Sequence, residues 1–172
     1  MNRGVTYTNL KNFGRAIADL NEALRLNPAD AEIYYNRGVA FYDSGDLARA
    51  RADYDAALAI EPEYFDALSN RGLTFYDMKD YRRAITDYDA AIRLNAEDGD
   101  TYFNRGLAFA DSGDLARAVA DFSAAIRLDP TDGEAYYERG RTRMKLGEDA
   151  AADLARAAEL GFTPDAEGSE GP

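Results

Sequence analysis

The 172-residue sequence contains no cysteine, no histidine and no tryptophan. These absences exclude disulfides, thiolate chemistry, imidazole acid–base catalysis and the usual zinc and copper ligands. Because most of the side chains that enzymes use are missing, we expect no catalytic activity, no metal and no cofactor. The lack of cysteine fits oxidising and reducing compartments equally well, so the compartment is undecided and the cytoplasm is the working expectation.

Positive charge and long apolar runs are also scarce. The chain has 20 Lys and Arg against 32 Asp and Glu, which gives a formal net charge of −12. This surplus of negative charge repels phosphate backbones and anionic lipid surfaces. Residues 1–20 are polar and amphipathic, without the apolar run of a signal peptide or a membrane span. We therefore predict neither a nucleic-acid partner nor a membrane partner.

The sequence is rich in repetition. An Arg-Gly pair recurs every 34 residues, at Gly4, Gly38, Gly72, Gly106 and Gly140. A fixed period of this size indicates that each repeat is one supersecondary element, which completes its core by stacking on its neighbours. The predicted repeats span residues 1–30, 31–64, 65–98, 99–132 and 133–161. They form one predicted domain over residues 1–162, followed by a disordered tail rich in acid, Gly and Pro at 163–172.

Each repeat has the pattern of a helix, a turn and a second helix. In the second repeat, apolar and small residues recur at helical spacing on both sides of a Ser-Gly-Asp turn at residues 44–46. Aspartates at helix starts are predicted N-caps, and prolines after second helices are predicted stops. The caps are Asp30, Asp46, Asp80, Asp98, Asp114 and Asp132, and the prolines are Pro28, Pro62 and Pro130. We expect Gly38 to close its hairpin against Ala50 and Ala57.

An arginine before each glycine is matched by an aspartate in the second helix. The separation is 16 residues in four repeats and 14 in the last, where the turn is shorter. The pairs are Arg3 with Asp19, Arg37 with Asp53, Arg71 with Asp87, Arg105 with Asp121, and Arg139 with Asp153. Because the pairing survives the shortened turn, we predict contact between the two helices of each hairpin. The alternative is a row of arginines for phosphate or sulfate groups.

The small, aromatic and proline positions within this period resemble the tetratricopeptide repeat family, as found in bacterial proteins. The resemblance implies an all-α fold, a right-handed α-solenoid of five antiparallel helix-turn-helix repeats. It also implies a concave groove, lined by the first helices, that holds an extended peptide or a partner helix. The first repeat is truncated at Met1, and the fifth is degenerate, with Arg143 at an aromatic position. We expect the fifth to be adapted to face water.

Helical geometry places one side of each first helix in that groove. The predicted groove residues are Tyr35, Val39, Tyr42, Asp43, Leu73, Tyr76, Asp77, Phe103, Leu107, Asp111, Tyr137, Arg141 and Lys145. The aromatic members of this set either fill space between repeats or anchor a ligand. We predict a scaffold that binds a protein or peptide with apolar anchors and net positive charge, while Arg141 and Lys145 meet an acidic group.

Two other functions fit the same pattern. The chain is a self-assembling structural module if its truncated amino-terminal repeat associates with another copy. It is a regulatory or targeting segment if it has been cut from a larger enzyme. Both alternatives start from the incomplete first repeat, which leaves an apolar edge uncovered.

Overall fold

The computed structural model describes residues 13–163, and within that range the chain forms nine α-helices and no strand. The helices are α1 (Phe13–Leu26), α2 (Ala31–Asp43), α3 (Leu47–Ile60), α4 (Phe65–Asp77), α5 (Tyr81–Leu94), α6 (Gly99–Asp111), α7 (Leu115–Leu128), α8 (Gly133–Leu146) and α9 (Ala151–Glu159). The predicted all-α fold class is confirmed.

The chain divides into two compact units, residues 1–96 and residues 97–172. The amino-terminal unit contains α1 followed by the hairpins α2–α3 and α4–α5, and the carboxy-terminal unit contains the hairpins α6–α7 and α8–α9. Helix α1 is the second helix of the first repeat. The start of that repeat, including Arg3, and most of the predicted tail lie outside the described residues. The single domain over 1–162 stays a prediction.

Aspartate side chains cap the helix starts as predicted. Asp30 accepts from the backbone N–H groups of Glu32 and Ile33 at 3.1 and 3.3 Å, and Asp80 accepts from that of Arg83 at 3.1 Å. Asp46, Asp98, Asp114 and Asp132 cap their helices in the same way. Each cap contributes about 0.5–2 kcal/mol. The prolines predicted as stops also stand where expected, since α1, α3 and α7 each end two residues before one.

In the hairpins α2–α3, α4–α5 and α6–α7 the glycine lies against an aromatic ring, which corrects the predicted glycine–alanine contact. A Cβ built on Gly38 would stand 2.7 Å from a ring carbon of Tyr54, and one on Gly72 would stand 2.8 Å from Tyr88. Phe122 covers Gly106 in the same way. Ala50 and Ala57, the predicted partners of Gly38, are fully buried in the same hairpin. The ring needs the space of the missing side chain, so an alanine in place of the glycine would overpack the hairpin.

The last hairpin differs from the others. Helix α8 ends at Leu146 and is capped by Gly147 in the left-handed region, with φ of 77°, and α9 has 9 residues where the other described second helices have 14. Ala150 precedes α9 and provides no side-chain cap. Met144 and Leu146 are 60% and 41% exposed, so the end of α8 presents apolar surface where we expected a repeat adapted to water.

Candidate functional site

The predicted arginine–aspartate pairs form in all four described hairpins. In α4–α5, Arg71 donates from Nε and Nη2 to the two carboxylate oxygens of Asp87, at 2.7 and 2.8 Å. Asp87 is only 5% exposed. The same two-bond geometry joins Arg37 to Asp53, Arg105 to Asp121, and Arg139 to Asp153. A planar guanidinium suits a carboxylate in this arrangement, which fixes the two helices of each hairpin relative to one another.

Three of these arginines also reach the preceding repeat, a contact that we did not predict from the sequence. Arg71 donates from Nη1 to Asp55 of α3 at 2.7 Å, and Arg37 donates to Asn21 of α1 at 2.6 Å. In the carboxy-terminal unit, Arg139 donates to Ser123 of α7 at 3.1 Å. Each acceptor stands 16 residues before its arginine. These polar residues recur at the repeat period, and that recurrence was the available signal.

Further arginines cover the aromatic residues near the ends of α2, α4 and α6. The guanidinium of Arg83 lies 4.6 Å from the ring centre of Phe75, and Arg83 also pairs with its cap residue Asp80. Arg49 over Phe41 and Arg117 over Phe109 repeat this arrangement. The arginine rows are therefore engaged with carboxylates and rings of their own chain. Because these arginines are already paired, a role for them in binding phosphate or sulfate groups is disfavoured.

We call Tyr35, Val39, Tyr42, Asp43, Leu73, Tyr76 and Asp77 the amino-terminal face. It lies on α2 and α4, which contact each other. Tyr42 donates its hydroxyl to Asp77 Oδ2 at 2.6 Å, so two predicted groove residues are joined across the helices. Burial raises the pKa of Tyr42, and the hydrogen bond to Asp77 raises it further. The hydroxyl stays protonated and links α2 to α4.

Tyr35 fills space between successive hairpins. Its ring centre lies 6.0 Å from that of Tyr54 and 5.1 Å from that of Tyr64. Its hydroxyl accepts from Asn70 Nδ2 at 2.9 Å. Burial raises the pKa of Tyr35, with the charge of Asp66 adding to the rise. For this residue the space-filling role is established, and any ligand would contact only its exposed part.

The remaining residues of the amino-terminal face are only partly covered. Val39, Leu73 and Tyr76 are half-buried, and the Tyr76 ring centre lies 5.6 Å from that of Tyr81. Asp43 and Asp77 are exposed at the same ends of their helices. The face therefore offers accessible aliphatic and aromatic carbon bordered by carboxylates.

We call Phe103, Leu107, Asp111, Tyr137, Arg141 and Lys145 the carboxy-terminal face, which lies on α6 and α8. Phe103 packs against Phe122, with ring centres 5.6 Å apart, and Leu107 is half-buried. Phe103 also borders a cleft of about 470 Å³ beside the start of α8. The cleft wall includes Asp100, Asp132, Glu134 and Phe162.

The sign of the charge changes along α8. Arg141 lies 2.8 Å from Oε2 of Glu138, and Lys145, one turn further along, is exposed. Burial raises the pKa of Glu138, while the positive charge of Arg141 opposes that rise. Tyr137 contacts Phe162, with ring centres 5.3 Å apart. The predicted basic end of this face is thus present on α8, and one of its cations has a partner within the chain.

Nothing in residues 13–163 gathers three or more side chains that could ligate a metal ion. The neighbouring carboxylates of Asp53 and Asp55 are both taken up by arginines, since Asp53 pairs with Arg37 and Asp55 with Arg51 and Arg71. Among the described helices, none is both long enough and apolar enough to cross a bilayer.

The comparison with protein families identifies the repeat. The tetratricopeptide repeat model matches residues 2–65, 69–133 and 111–167. The chain belongs to the tetratricopeptide repeat family. No curated protein sequence matches it.

Solved structures share the tetratricopeptide fold with this chain. MamA from Desulfovibrio magneticus RS-1 is 24% identical, with a TM-score of 0.89 over 95% of this chain and 94% of the other. A second MamA structure is 22% identical, with a TM-score of 0.87 over 93% and 88%. YrrB, described as a TPR protein with an unusual peptide-binding site, is 25% identical, with a TM-score of 0.82 over 93% and 84%. At these identities, the two MamA structures establish the fold alone.

Proposed function

We propose that this protein is an interaction scaffold whose first-helix faces bind an extended peptide or a partner helix with apolar anchors and net positive charge. The observation that carries the proposal is the amino-terminal face. There, half-buried Leu73 and Tyr76 lie on the same helix as exposed Asp77, and Asp43 is exposed at the same end of the neighbouring helix. Metal ions and cofactors play no part in this function, and the absence of catalysis stays a prediction.

The chemistry of the face favours a cationic partner with apolar side chains. Tyrosine is enriched among the residues that contribute most to binding, and partly covered aliphatic carbon gains free energy when a ligand removes it from water. The carboxylates at the margin, together with the net charge of −12, attract basic ligands and speed their association at low ionic strength. YrrB, whose described site binds peptide, supports the same class of function here.

The test is titration of the chain with peptides that combine Lys or Arg with aromatic residues. The double variant Leu73→Ala, Tyr76→Ala should weaken binding about tenfold or more, and raised salt should weaken the unchanged chain. The matched control is Ile60→Ala, Leu94→Ala, which removes apolar side chains that are 42% and 40% exposed at the ends of second helices. The control should bind like the unchanged chain.

Circular dichroism shows whether each variant remains folded, so that a loss of binding is attributed to the face. The proposal fails if the face variant and the control variant bind basic peptides equally well. It also fails in its electrostatic part if affinity does not change between low and high salt. Binding of acidic peptides in preference to basic ones would reverse the predicted charge of the partner.

A further inference from the structure

The turns inside the hairpins α2–α3, α4–α5 and α6–α7 share one backbone conformation but not one set of side chains. Residues 43–49 and residues 111–117 have the same sequence, Asp-Ser-Gly-Asp-Leu-Ala-Arg, whereas residues 77–83 read Asp-Met-Lys-Asp-Tyr-Arg-Arg. In all three turns the residue at the third position has a positive φ, and the aspartate at the fourth caps the next helix. Residues 77–83 carry three cations and two carboxylates, and each of the other turns carries one cation and two carboxylates. The α4–α5 turn therefore reverses the sign of the local charge.

Two side chains of the α4–α5 turn suit its backbone less well than their counterparts do. Lys79 has φ of 60°, and among residues 13–163 it is the only residue other than glycine with a positive φ. The preceding position also differs. In the α2–α3 turn Ser44 donates its hydroxyl to the carbonyl oxygen of Phe41 at 2.8 Å, a bond that Met78 cannot form. Residues that strain a turn without packing inside the protein point to a role at the surface.

We call Met78, Lys79, Tyr81 and Arg82 the α4–α5 tip. Met78 is 43% exposed, and Lys79 and Arg82 are exposed as well. Tyr81 is half-buried, with its ring centre 5.6 Å from that of Tyr76. The tip therefore combines two cations with a methionine and an accessible aromatic edge, where the other two turns present serine, glycine, leucine and alanine.

The carboxylates of this turn are engaged within the chain, and two of its cations are not. Asp77 accepts a hydrogen bond from the neighbouring helix α2, and Asp80 pairs with Arg83. In the described part of the chain, Lys79 and Arg82 form no ion pair. The positive charge of the tip is thus available to a partner, although the chain as a whole has a net charge of −12.

We propose that the α4–α5 tip is a second docking site, for an acidic segment of another protein that also carries apolar side chains. The carboxylates of that segment meet Lys79 and Arg82, and its apolar side chains cover Met78 and Tyr81. A short segment meets mainly these charges, because charges farther away than about 8 Å are screened at physiological salt. An anionic bilayer would extend over the acidic surface around the tip, which disfavours a membrane. None of the four residues belongs to the amino-terminal face, so this inference does not rest on the proposed function.

The test gives the tip the side chains of the α2–α3 turn. Met78→Ser, Lys79→Gly and Arg82→Ala make this tip variant, and its urea denaturation midpoint should equal or exceed that of the unchanged chain, because glycine adopts φ of 60° without strain. The probe is a short fluorescein-labelled peptide of Glu, Asp, Leu and Phe, and its binding is measured by fluorescence anisotropy. The tip variant should bind the probe about tenfold more weakly or worse.

A matched control removes two cations and one comparably exposed apolar side chain elsewhere in the amino-terminal unit. Arg25→Ala, Arg93→Ala and Leu94→Ala change the net charge by the same amount, and this variant should bind the probe like the unchanged chain. Val39→Ala with Leu73→Ala alters the amino-terminal face and should also leave probe binding unchanged. A peptide with Ser in place of Leu and Phe should bind the unchanged chain at least about threefold more weakly, because it lacks apolar contacts.

The proposal is overturned if the unchanged chain does not bind the probe, or if the tip variant and the matched control lose affinity equally. Binding of phosphatidylserine vesicles through the tip, without binding of the peptide, would overturn it in favour of a membrane site. A mass in solution that falls in the tip variant, measured by light scattering, would overturn it in favour of a second copy of the chain. If only Val39→Ala with Leu73→Ala weakened binding of the probe, the acidic ligand would belong to the amino-terminal face instead.

Discussion

The hairpins α4–α5 and α8–α9 are built from equivalent positions of the repeat, and they differ in the side chains that pack between their helices. Tyr88 covers the glycine of the first hairpin, whereas Leu154 occupies that place in the second. Phe75 at the end of α4 is replaced by Arg143 at the end of α8. The second helix has 14 residues in one and 9 in the other.

The arginine–aspartate pair is retained in both hairpins. Arg71 and Asp87 are 16 residues apart, and Arg139 and Asp153 are 14 apart, yet each pair makes two bonds. In the last hairpin, Arg143 adds a further bond to Asp153 at 2.9 Å. The charged contact is therefore kept in both hairpins, while the apolar side chain over the glycine and the length of the second helix differ.

The largest difference between the hairpins should come from the residue over the glycine. Tyr88→Ala empties a fully buried site and should lower the free energy of unfolding by about 3–5 kcal/mol. Leu154→Ala should cost about 2 kcal/mol or less, because that side chain is only half-buried. Urea denaturation of the two variants measures both values. Equal losses of stability would show that Tyr88 and Leu154 contribute equally to the stability of their hairpins.

Tyr88→Phe is the control for this prediction. The Tyr88 hydroxyl is buried without a hydrogen-bond partner among the described residues, and Phe122 fills the equivalent site of α6–α7. Removing the hydroxyl should therefore change stability by no more than about 1 kcal/mol, in the direction of a gain. A loss as large as that of Tyr88→Ala would mean that the hydroxyl, and not the ring, carries the effect.

The next effect concerns the charged pair. Arg71→Ala leaves the buried Asp87 carboxylate uncompensated and should cost roughly 3 kcal/mol, the lower end for a buried pair because Arg71 is one-fifth exposed. Arg139→Ala should cost less, since Asp153 keeps its bond to Arg143. Thermal melting of both variants gives the order.

Asp77→Ala serves as the surface comparison for the charged pair. It removes the hydrogen bond from Tyr42 at an exposed carboxylate and should cost about 1 kcal/mol. If Arg71→Ala and Asp77→Ala lower the melting temperature equally, the paired arginines are not the contact that holds the hairpin.

The smallest effect should come from Gly140→Ala, for which Gly72→Ala is the comparison. Gly72→Ala brings a Cβ to 2.8 Å from the Tyr88 ring and should cost about 1–3 kcal/mol. Gly140→Ala places its Cβ 3.1 Å from Leu154 Cδ2 and 3.2 Å from Asp153 Cβ, a looser approach than the one at Gly72. That strain is offset by the roughly 0.5–1 kcal/mol that alanine gains over glycine in a helix, so stability should hardly change. Equal destabilisation of the Gly72→Ala and Gly140→Ala variants, measured by urea denaturation, would refute this account.

The repeat, the caps and the paired arginines could be predicted from sequence because each depends on residue type at a fixed spacing. Asp80 before a helical pattern and Arg71 sixteen residues before Asp87 are signals of that kind. The partner of each glycine could not be predicted so well. Spacing places Ala84 and Tyr88 on the same side of the helix, one turn apart, and only the packed hairpin decides which of them meets Gly72.

The candidate groove was less predictable than the fold. Helix geometry placed Tyr35 and Tyr42 on one side of α2, but their depth depends on what the next hairpin presents. Tyr35 is covered by Tyr64 and bonded to Asn70, while Tyr42 meets Asp77. The contact of Phe162 with Tyr137 had no signal at the repeat period, because the shortened last repeat shifts the register of everything after it.

The hydrogen bonds from Arg37 and Arg71 to the preceding repeat make the cooperativity of unfolding depend on ionic conditions. Arg37 bridges to α1 and Arg71 to α3, so loss of one hairpin also strips a hydrogen bond from the neighbour that remains. When the amino-terminal unit frays from one end, each remaining hairpin therefore loses a hydrogen bond as well as apolar packing. Guanidinium salts compete for the same carboxylates. We therefore expect the unfolding transition of this unit to be less cooperative in guanidinium chloride than in urea.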